Sequence, residues 1–268
     1  MDNNEKISVI MAVYNCEDLV SDAIESILDQ TYQNWELIIC NDCSTDGTYN
    51  VVKKYADNYP DKIILIENEK NSKLPYSLNH CLTYATGKYV ARMDGDDVSL
   101  PTRFEKQVEF LRANPDIDLV GTGMEVYDGH KIIGTNISPS VVDKYSLKIS
   151  TCFCHATIMT YKYVYDKLNG YSLEDRAIRV EDIDLWFRFF AAGFKGANLP
   201  DLLYRVTDDE NAYKRRKFGL RIHAMKTLFY GYRLLKYPIH WYPLVLLPVI
   251  KGFAPKFVYT YFRNRKFK

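Results

Sequence analysis

Tyr89-Val90-Ala91-Arg92-Met93-Asp94-Gly95-Asp96-Asp97 is a mostly apolar run that ends in three carboxylates. It reads as a buried strand because it lies between the breaker Gly87 and an acidic cluster. Such a strand concentrates negative charge at one edge of a sheet. Carboxylates that close raise each other's pKa and cost stability unless a counter-charge is present. A hard divalent cation, Mg²⁺ or Mn²⁺, relieves the conflict. Mg²⁺ typically uses one or two carboxylates and substrate phosphates. The competing reading is a solvated turn, since Asp and Gly are ordinary turn residues.

Upstream, the chain alternates. Ile7–Val13 is a near-continuous apolar run, as in a strand covered on both faces. Leu19, Val20, Ala23, Ile24, Ile27 and Leu28 recur at helical spacing. Trp35–Cys40 reads as a second strand, and Thr48 opens a second helix with Val51, Val52 and Tyr55 inward. Ile63–Ile66 is a third strand, and Leu78, Leu82 and Ala85 mark a third helix before Tyr89. The β-α-β-α-β-α-β order implies an α/β fold, a mostly parallel sheet flanked by helices. In such sheets ligands bind beyond the carboxyl ends of the strands. Those ends carry Ala12-Val13-Tyr14-Asn15 with Glu17, then Asn41-Asp42, then Asp94-Gly95-Asp96-Asp97. An acid at the end of a second strand often receives a ribose or base; the alternative for Asp42 is a turn or cap. No Gly-x-Gly-x-x-Gly follows the first strand, which argues against a dinucleotide fold.

Downstream of Pro101 the pattern changes. Phe104, Val108 and Leu111 share a helix face. Leu119–Tyr127 reads as a strand, and Asp128-Gly129 turns into His130–Ile133. Cys152–Tyr161 is mixed in pattern. Glu181-Asp182 opens an amphipathic helix through Phe190, closed by Gly193, and Leu202–Val206 reads as a last strand. The acid pair has a bland reading too, as first-turn residues favoured by the helix dipole.

The 268 residues, 47% apolar and 26% charged, suit one large domain or two small ones. The net charge of +1 conceals an asymmetry. No Asp or Glu follows Glu210, whereas 14 Lys and Arg do, so the first 210 residues hold 21 basic and 34 acidic groups, a net of −13. A basic, aromatic tail on an acidic body points to an anionic surface. Between Lys236 and Lys251, a 14-residue apolar stretch is interrupted by Pro238, Pro243 and Pro248. That is short of the ~20 residues of a membrane span, so an interfacial segment is expected, with packing on the body or a dimer contact as the alternative. The expected division is a body over 1–215, with a nucleotide-binding half (1–100) and an acceptor half (101–215), and a membrane-associating tail over 216–268. The polar start, Met1–Glu5, does not read as a secretory leader. Six Cys in such a chain fit free thiols in a reducing compartment. A zinc site from Cys40, Cys43, Cys152, Cys154 and His155 is disfavoured, because the spacing lacks two similar pairs.

Five segments occur together and in order: Ile7–Asn15, Gln30–Trp35, Asn41–Gly47, Ala91–Asp97 and Val180–Trp186. Over residues 5–206 the chain closely resembles glycosyltransferase family 2, the inverting nucleotide-sugar enzymes of GT-A fold. The resemblance implies roles. Ala12, Tyr14 and Glu17 match the uridine pocket, and Asp42 the aspartate that recognises uracil. Asp94 and Asp96 match the Asp-x-Asp motif, whose second member contacts the metal on the diphosphate. Asp182, beside Glu181, matches the catalytic base. Two departures stand out. Ala12 occupies a position where many members have Pro. Thr207-Asp208-Asp209 stands where many have a metal- or diphosphate-binding His, leaving Asp208 as a substitute. His155 falls in a region that often faces the acceptor.

The function expected is transfer of a sugar from a nucleoside diphosphate, a UDP-sugar first, to a lipid-linked or polysaccharide acceptor. The setting expected is the cytoplasmic face of the plasma membrane, with no nucleic-acid partner. A sugar nucleotidyltransferase competes, but no Gly-rich, basic loop follows the first strand. An inactive membrane-bound scaffold also competes, against an intact acidic cluster and Glu-Asp pair.

Overall fold

The computed structural model describes residues 5–149, 151–207 and 218–253. In chain order the elements are β1 (Ile7–Val13), α1 (Val20–Leu28), β2 (Trp35–Asn41), α2 (Thr48–Asn58), β3 (Ile63–Glu67), α3 (Leu74–Tyr84), β4 (Tyr89–Asp94), β5 (Val98–Ser99) and α4 (Arg103–Ala113). There follow β6 (Leu119–Tyr127), β7 (Ile132–Asn136), β8 (Met159–Tyr161), α5 (Lys162–Leu168), α6 (Glu181–Ala191), β9 (Gly196–Thr207), α7 (Phe218–Leu234) and α8 (Leu247–Ile250).

Side chains alternate across a strand, and that alternation sorts the core into two halves. Ile10, Ile38, Cys40 and Ile66 face one cluster, with Leu78 of α3 and Trp186 of α6. Val9, Met11, Leu37 and Ile39 face the other, with Ile24 of α1 and Phe104 of α4. All seven residues of β2 are buried, which is why its sequence is not amphipathic.

The strands lie in the order β3-β2-β1-β4-β8-β6-β9-β5, with β7 on β6. β1 to β4 pair in parallel. Beyond β4 the pairing changes: β8 runs antiparallel to β4 and to β6, while β9 runs parallel to β6. Strand order reverses between β1 and β4, which is where an open α/β sheet has its crevice. Three local expectations are redrawn. The last strand begins at Gly196, because pairing with β6 carries it past Pro200, where register shifts at Thr122–Met124 absorb the proline. The hairpin's return strand starts at Ile132. The mixed segment 152–161 resolves into a 3-10 turn at His155–Thr157 and β8.

Two features fix the loop after β4. Val98 and Ser99 pair with Arg205 and Tyr204 of β9, so the acidic turn is held at both ends. The Gln30 amide donates to Ser99 O and Leu100 O (3.2 and 2.9 Å) and accepts from Phe104 N (3.1 Å), tying the end of α1 to the start of α4. At the other end of the chain, Tyr232, Leu235, Tyr237 and Val245 join the cluster around Trp186 and Phe187. No helix among the described residues is long and apolar enough to cross a membrane. Asp208 and the residues after Phe253 lie outside the described residues.

Candidate active site at the carboxyl edge of the sheet

The register sets Ala12 between Cys40 of β2 and Asp94 of β4. The three strand exits of the sequence reading therefore converge on one crevice. On the β2 side, Asp42 donates its N–H to Val13 O (2.9 Å) and is only 4% exposed. Its carboxylate accepts from Ser72 N (2.7 Å) and Asn68 Nδ2 (2.8 Å) on Oδ1, and from Lys73 N (2.8 Å) on Oδ2. A carboxylate has about four acceptor positions, so one remains on Oδ2. Asp42 also holds the Lys70–Lys73 loop in place, including Lys73 at φ 74°.

The β1 exit is stitched to the β2 exit. Asn15 Oδ1 accepts from Thr45 N (2.8 Å), and Asn15 N donates to Ser44 Oγ (3.1 Å). Glu17 Oε2 accepts from Gly47 N (2.8 Å), while Glu17 N donates to Asp46 Oδ2 (3.2 Å). Tyr14 stands out of this loop, 49% exposed.

The acidic turn is built differently. Gly95 passes so close to β1 that a Cβ there would meet Val13 Cγ1 at 2.7 Å and Cys16 Sγ at 3.3 Å. Asp97 is buried and accepts from Thr207 N (2.9 Å) and from the Tyr204 hydroxyl. Burial, then the charges of Asp94 and Asp96, pushes its carboxyl well above the usual range. Asp97 is thus a clamp to β9. Asp96 remains exposed. It lies close enough to Cys16 that burial and the Asp96 charge together push that thiol up to about 11. Asp94 is partly exposed and paired with buried Arg92 through Nη2 at 2.6 Å.

Arg92 joins this turn to α6. Burial opposes its charge, but nearby carboxylates, Asp94 first and then Glu181, favour it and hold it protonated. Its Nε has no hydrogen-bond partner among the described residues. Glu181, at the start of α6, is buried with Oε2 unpartnered. Its carboxyl is raised by burial and by Asp182. Asp182 is half-buried; burial raises its carboxyl, against the Ile183 N–H and the Arg92 charge. Asp184, fully buried, bonds Arg176 and Arg188 (2.7 Å to the latter), and Arg188 donates to Leu168 O and Gly170 O. That network sets the angle of α6. His155 sits beside it, its Nε2 2.9 Å from the Tyr171 hydroxyl. Burial, then Arg92, holds its pKa well below 6.5, so the ring is neutral.

The structure thus brings Ala12, Tyr14, Glu17, Asp42, Asp94 and Asp96 to one edge, and Arg92 links that edge to Glu181 and Asp182. Sequence reasoning missed Arg92, although a charged residue inside an apolar strand signals a buried partner. It also missed Asp184 and Tyr204. Cys40, Cys43, Cys152 and Cys154 are free thiols. Among the described residues no three His, Cys, Asp or Glu side chains converge as a metal cage. A cleft of about 1020 Å³ lined by Asn79, Lys162, Tyr171 and Arg188 contains none of the expected site residues.

The comparisons with known proteins meet this geometry. The family model for glycosyl transferase family 2 matches residues 8–168. The chain belongs to that family. A Bacillus subtilis protein named as a glycosyltransferase, EpsE, is 47% identical over 99% of this chain and 96% of its own length. WfaP of Escherichia coli, named as a UDP-Glc:α-D-GlcNAc-diphosphoundecaprenol β-1,3-glucosyltransferase, is 31% identical over 75% of this chain and 78% of its own. Two solved structures share the GT-A fold of this family 2 chain. S. aureus TarS with UDP-GlcNAc has TM-score 0.68, 17% identity, and coverage of 91% of this chain and 79% of its own. The mannosyltransferase PcManGT from Pyrobaculum calidifontis with GDP-Man and Mn²⁺ has TM-score 0.65, 20% identity, and coverage of 93% and 70%.

Proposed function

We propose that this family 2 enzyme moves a hexosyl or N-acetylhexosaminyl group from a UDP-sugar to a lipid-linked or polysaccharide acceptor, with inversion, in cell-surface glycan synthesis. The observation that carries the reading is the pair of acids at the start of α6 sharing the field of Arg92 with Asp94. The names of WfaP and TarS's ligand support a UDP donor and a lipid diphosphate acceptor.

In this reading the nucleoside enters the crevice at Ala12 and Tyr14. Asp42 offers its remaining acceptor position to the base N–H, and Glu17 braces the wall. Asp94 and Asp96 meet the ribose and diphosphate. Asp96, an exposed carboxylate beside a second one, suits a Mn²⁺ or Mg²⁺ whose other ligands come from phosphate and water. Bound there, the ion would supply Lewis-acid stabilisation of the departing diphosphate; PcManGT holds Mn²⁺ together with GDP-Man. The acceptor hydroxyl attacks the anomeric carbon while Asp182 takes its proton; the C1–O bond to the diphosphate breaks on the opposite face. One base suffices for a single displacement. Glu181 orients sugar or acceptor, its own carboxyl raised by burial and by Asp182. Residues 1–215 supply this chemistry, and 216–268 hold the enzyme on the cytoplasmic face of an anionic membrane.

Labelled nucleotide sugars test the reading, with a thermal-shift panel of the same donors with and without Mn²⁺. Transfer or slow donor hydrolysis, with Mn²⁺-dependent stabilisation by UDP-sugars, is expected. Pyrophosphate release would indicate a nucleotidyltransferase, and donor binding without turnover a scaffold.

A further inference from the structure

The last described segment has a two-faced construction. Of the 17 residues of α7, only Thr227, Gly231 and Tyr232 are buried. They form a narrow seam on the body. Gly231 lies against the Phe187 ring, where a Cβ would come within 2.2 Å. The Thr227 hydroxyl donates to Arg176 O (2.5 Å), and His223 Nδ1 meets Asp175 O. These contacts lay the first half of α7 beside the turn that leads into α6 and Asp182.

The opposite side is apolar and uncovered. Phe218 is 46% exposed, Phe229 45%, Leu246 47%, Ile250 59% and Phe253 75%. Every exposed phenylalanine among the described residues lies here; on the rest of the surface the exposed aromatics are tyrosines. The face is held as a unit. Phe218 packs on Phe253 with ring centroids 5.3 Å apart, and Arg221 donates to Pro248 O (3.2 Å). A groove of about 420 Å³ runs between Met225, Phe229, Tyr242 and Leu246, with Lys226 at its edge. Lys226 lines the groove and Arg221 reaches Pro248 beside it; Arg233, Lys236 and Lys251 lie in the same stretch of chain, and no acid occurs after Glu210. Exposed apolar groups on a basic, acid-free stretch of chain match one occupant, an anionic bilayer surface, in which rings enter the acyl boundary and cations meet phosphates.

We infer that α7 and residues 239–253 form an interfacial platform that seats Phe218, Ile250 and Phe253 in an anionic lipid leaflet and so brings the α6 acids to the level of lipid-borne acceptors. The platform rests on and sharpens the membrane reading above, its residues named by the packing; its role in presenting acceptor rests on the lipid-acceptor reading.

The test uses the full-length protein with vesicles of pure phosphatidylcholine or with 30% phosphatidylglycerol, in a co-sedimentation assay. Wild type is expected to bind the anionic vesicles at least tenfold more strongly at low salt, with loss at high salt as charge is screened. The double variant Ile250→Ser/Phe253→Ser, both positions open to solvent, is expected to lose at least tenfold of that binding while keeping wild-type affinity for UDP-sugar. Wild type that ignores anionic vesicles, or a double variant that binds them equally, overturns the platform. So does a wild-type dimer in sedimentation that the same substitutions dissolve, since the occupant would then be a second copy. Transfer to a water-soluble acceptor separates the two readings. If vesicle binding holds but lipid-borne acceptor is never used, the platform stands and the acceptor reading fails.

Discussion

The two walls of the crevice differ in how their polar groups are satisfied. On the β1–β2 wall, Asn15, Glu17 and Asp42 are bound to neighbouring backbone before any substrate arrives. On the β4–α6 wall, Arg92 Nε and Glu181 Oε2 are buried without partners among the described residues, and Asp182 and Asp97 carry raised carboxyls. Buried polar groups are normally paired, so an unpaired set clustered in one place marks where something is to bind or react. One wall is a preformed mould; the other holds charge in reserve for chemistry. Five substitutions separate them.

The largest effect is expected on the reactive wall. Asp96→Ala should abolish transfer and remove the Mn²⁺ dependence of UDP binding, with the thermal transition unchanged. Near-wild-type turnover in that variant would remove Asp96 from the metal role.

Asp182→Asn should lower turnover by about 10²–10⁴-fold, the usual share of a general base, and leave donor affinity intact. The pH profile adds a sign. The base works ionised, and burial raises its carboxyl. Activity should therefore be full above that raised pKa and fall as pH drops through it, on a limb lying above the ordinary aspartate range. Arg92 holds the same carboxyl down, so in Arg92→Met the limb should move to still higher pH. That variant should also lose about 3–5 kcal/mol of stability in a denaturant titration, since it leaves partly exposed Asp94 and buried Glu181 without their counter-charge. An unmoved limb would make Arg92 structural only.

Smaller effects are expected on the mould. Asp42→Asn should weaken UDP binding by about tenfold, near the ~1.5 kcal/mol of one hydrogen bond to a charged group, with turnover at saturating donor unchanged. Equal affinity of wild type for several nucleotide bases would contradict base reading by Asp42. Glu17→Gln should cost under about 1 kcal/mol of stability, with transfer close to wild type. A large loss of turnover there would collapse the distinction between the walls.

The C-terminal segment shows how local pattern and packing divide the explanation. Its lack of acids and its regular prolines are legible in the chain. Its seam of Thr227, Gly231 and Tyr232 is not, because those residues are chosen by the surface of α6 rather than by helical periodicity. His155 was likewise open in the sequence; its placement by Tyr171 and its neutral state follow from burial against Trp186.

By itself the sequence determined the alternation of strands and helices over the first hundred residues, the polar strand exits and the acid pair that opens α6. Each of these is a short-range signal: period two or 3.6, a breaker, a run of carboxylates. Tertiary structure alone decided that β8 and β9 complete the sheet, that Pro200 is absorbed at a bulge, and that Asp97 is a clamp to Thr207 rather than a ligand. It also decided that Arg92, inside a strand, faces both the Asp-x-Asp turn and α6. Those pairings join residues about a hundred positions apart, or groups whose charge state depends on what buries them. No local spacing encodes either one.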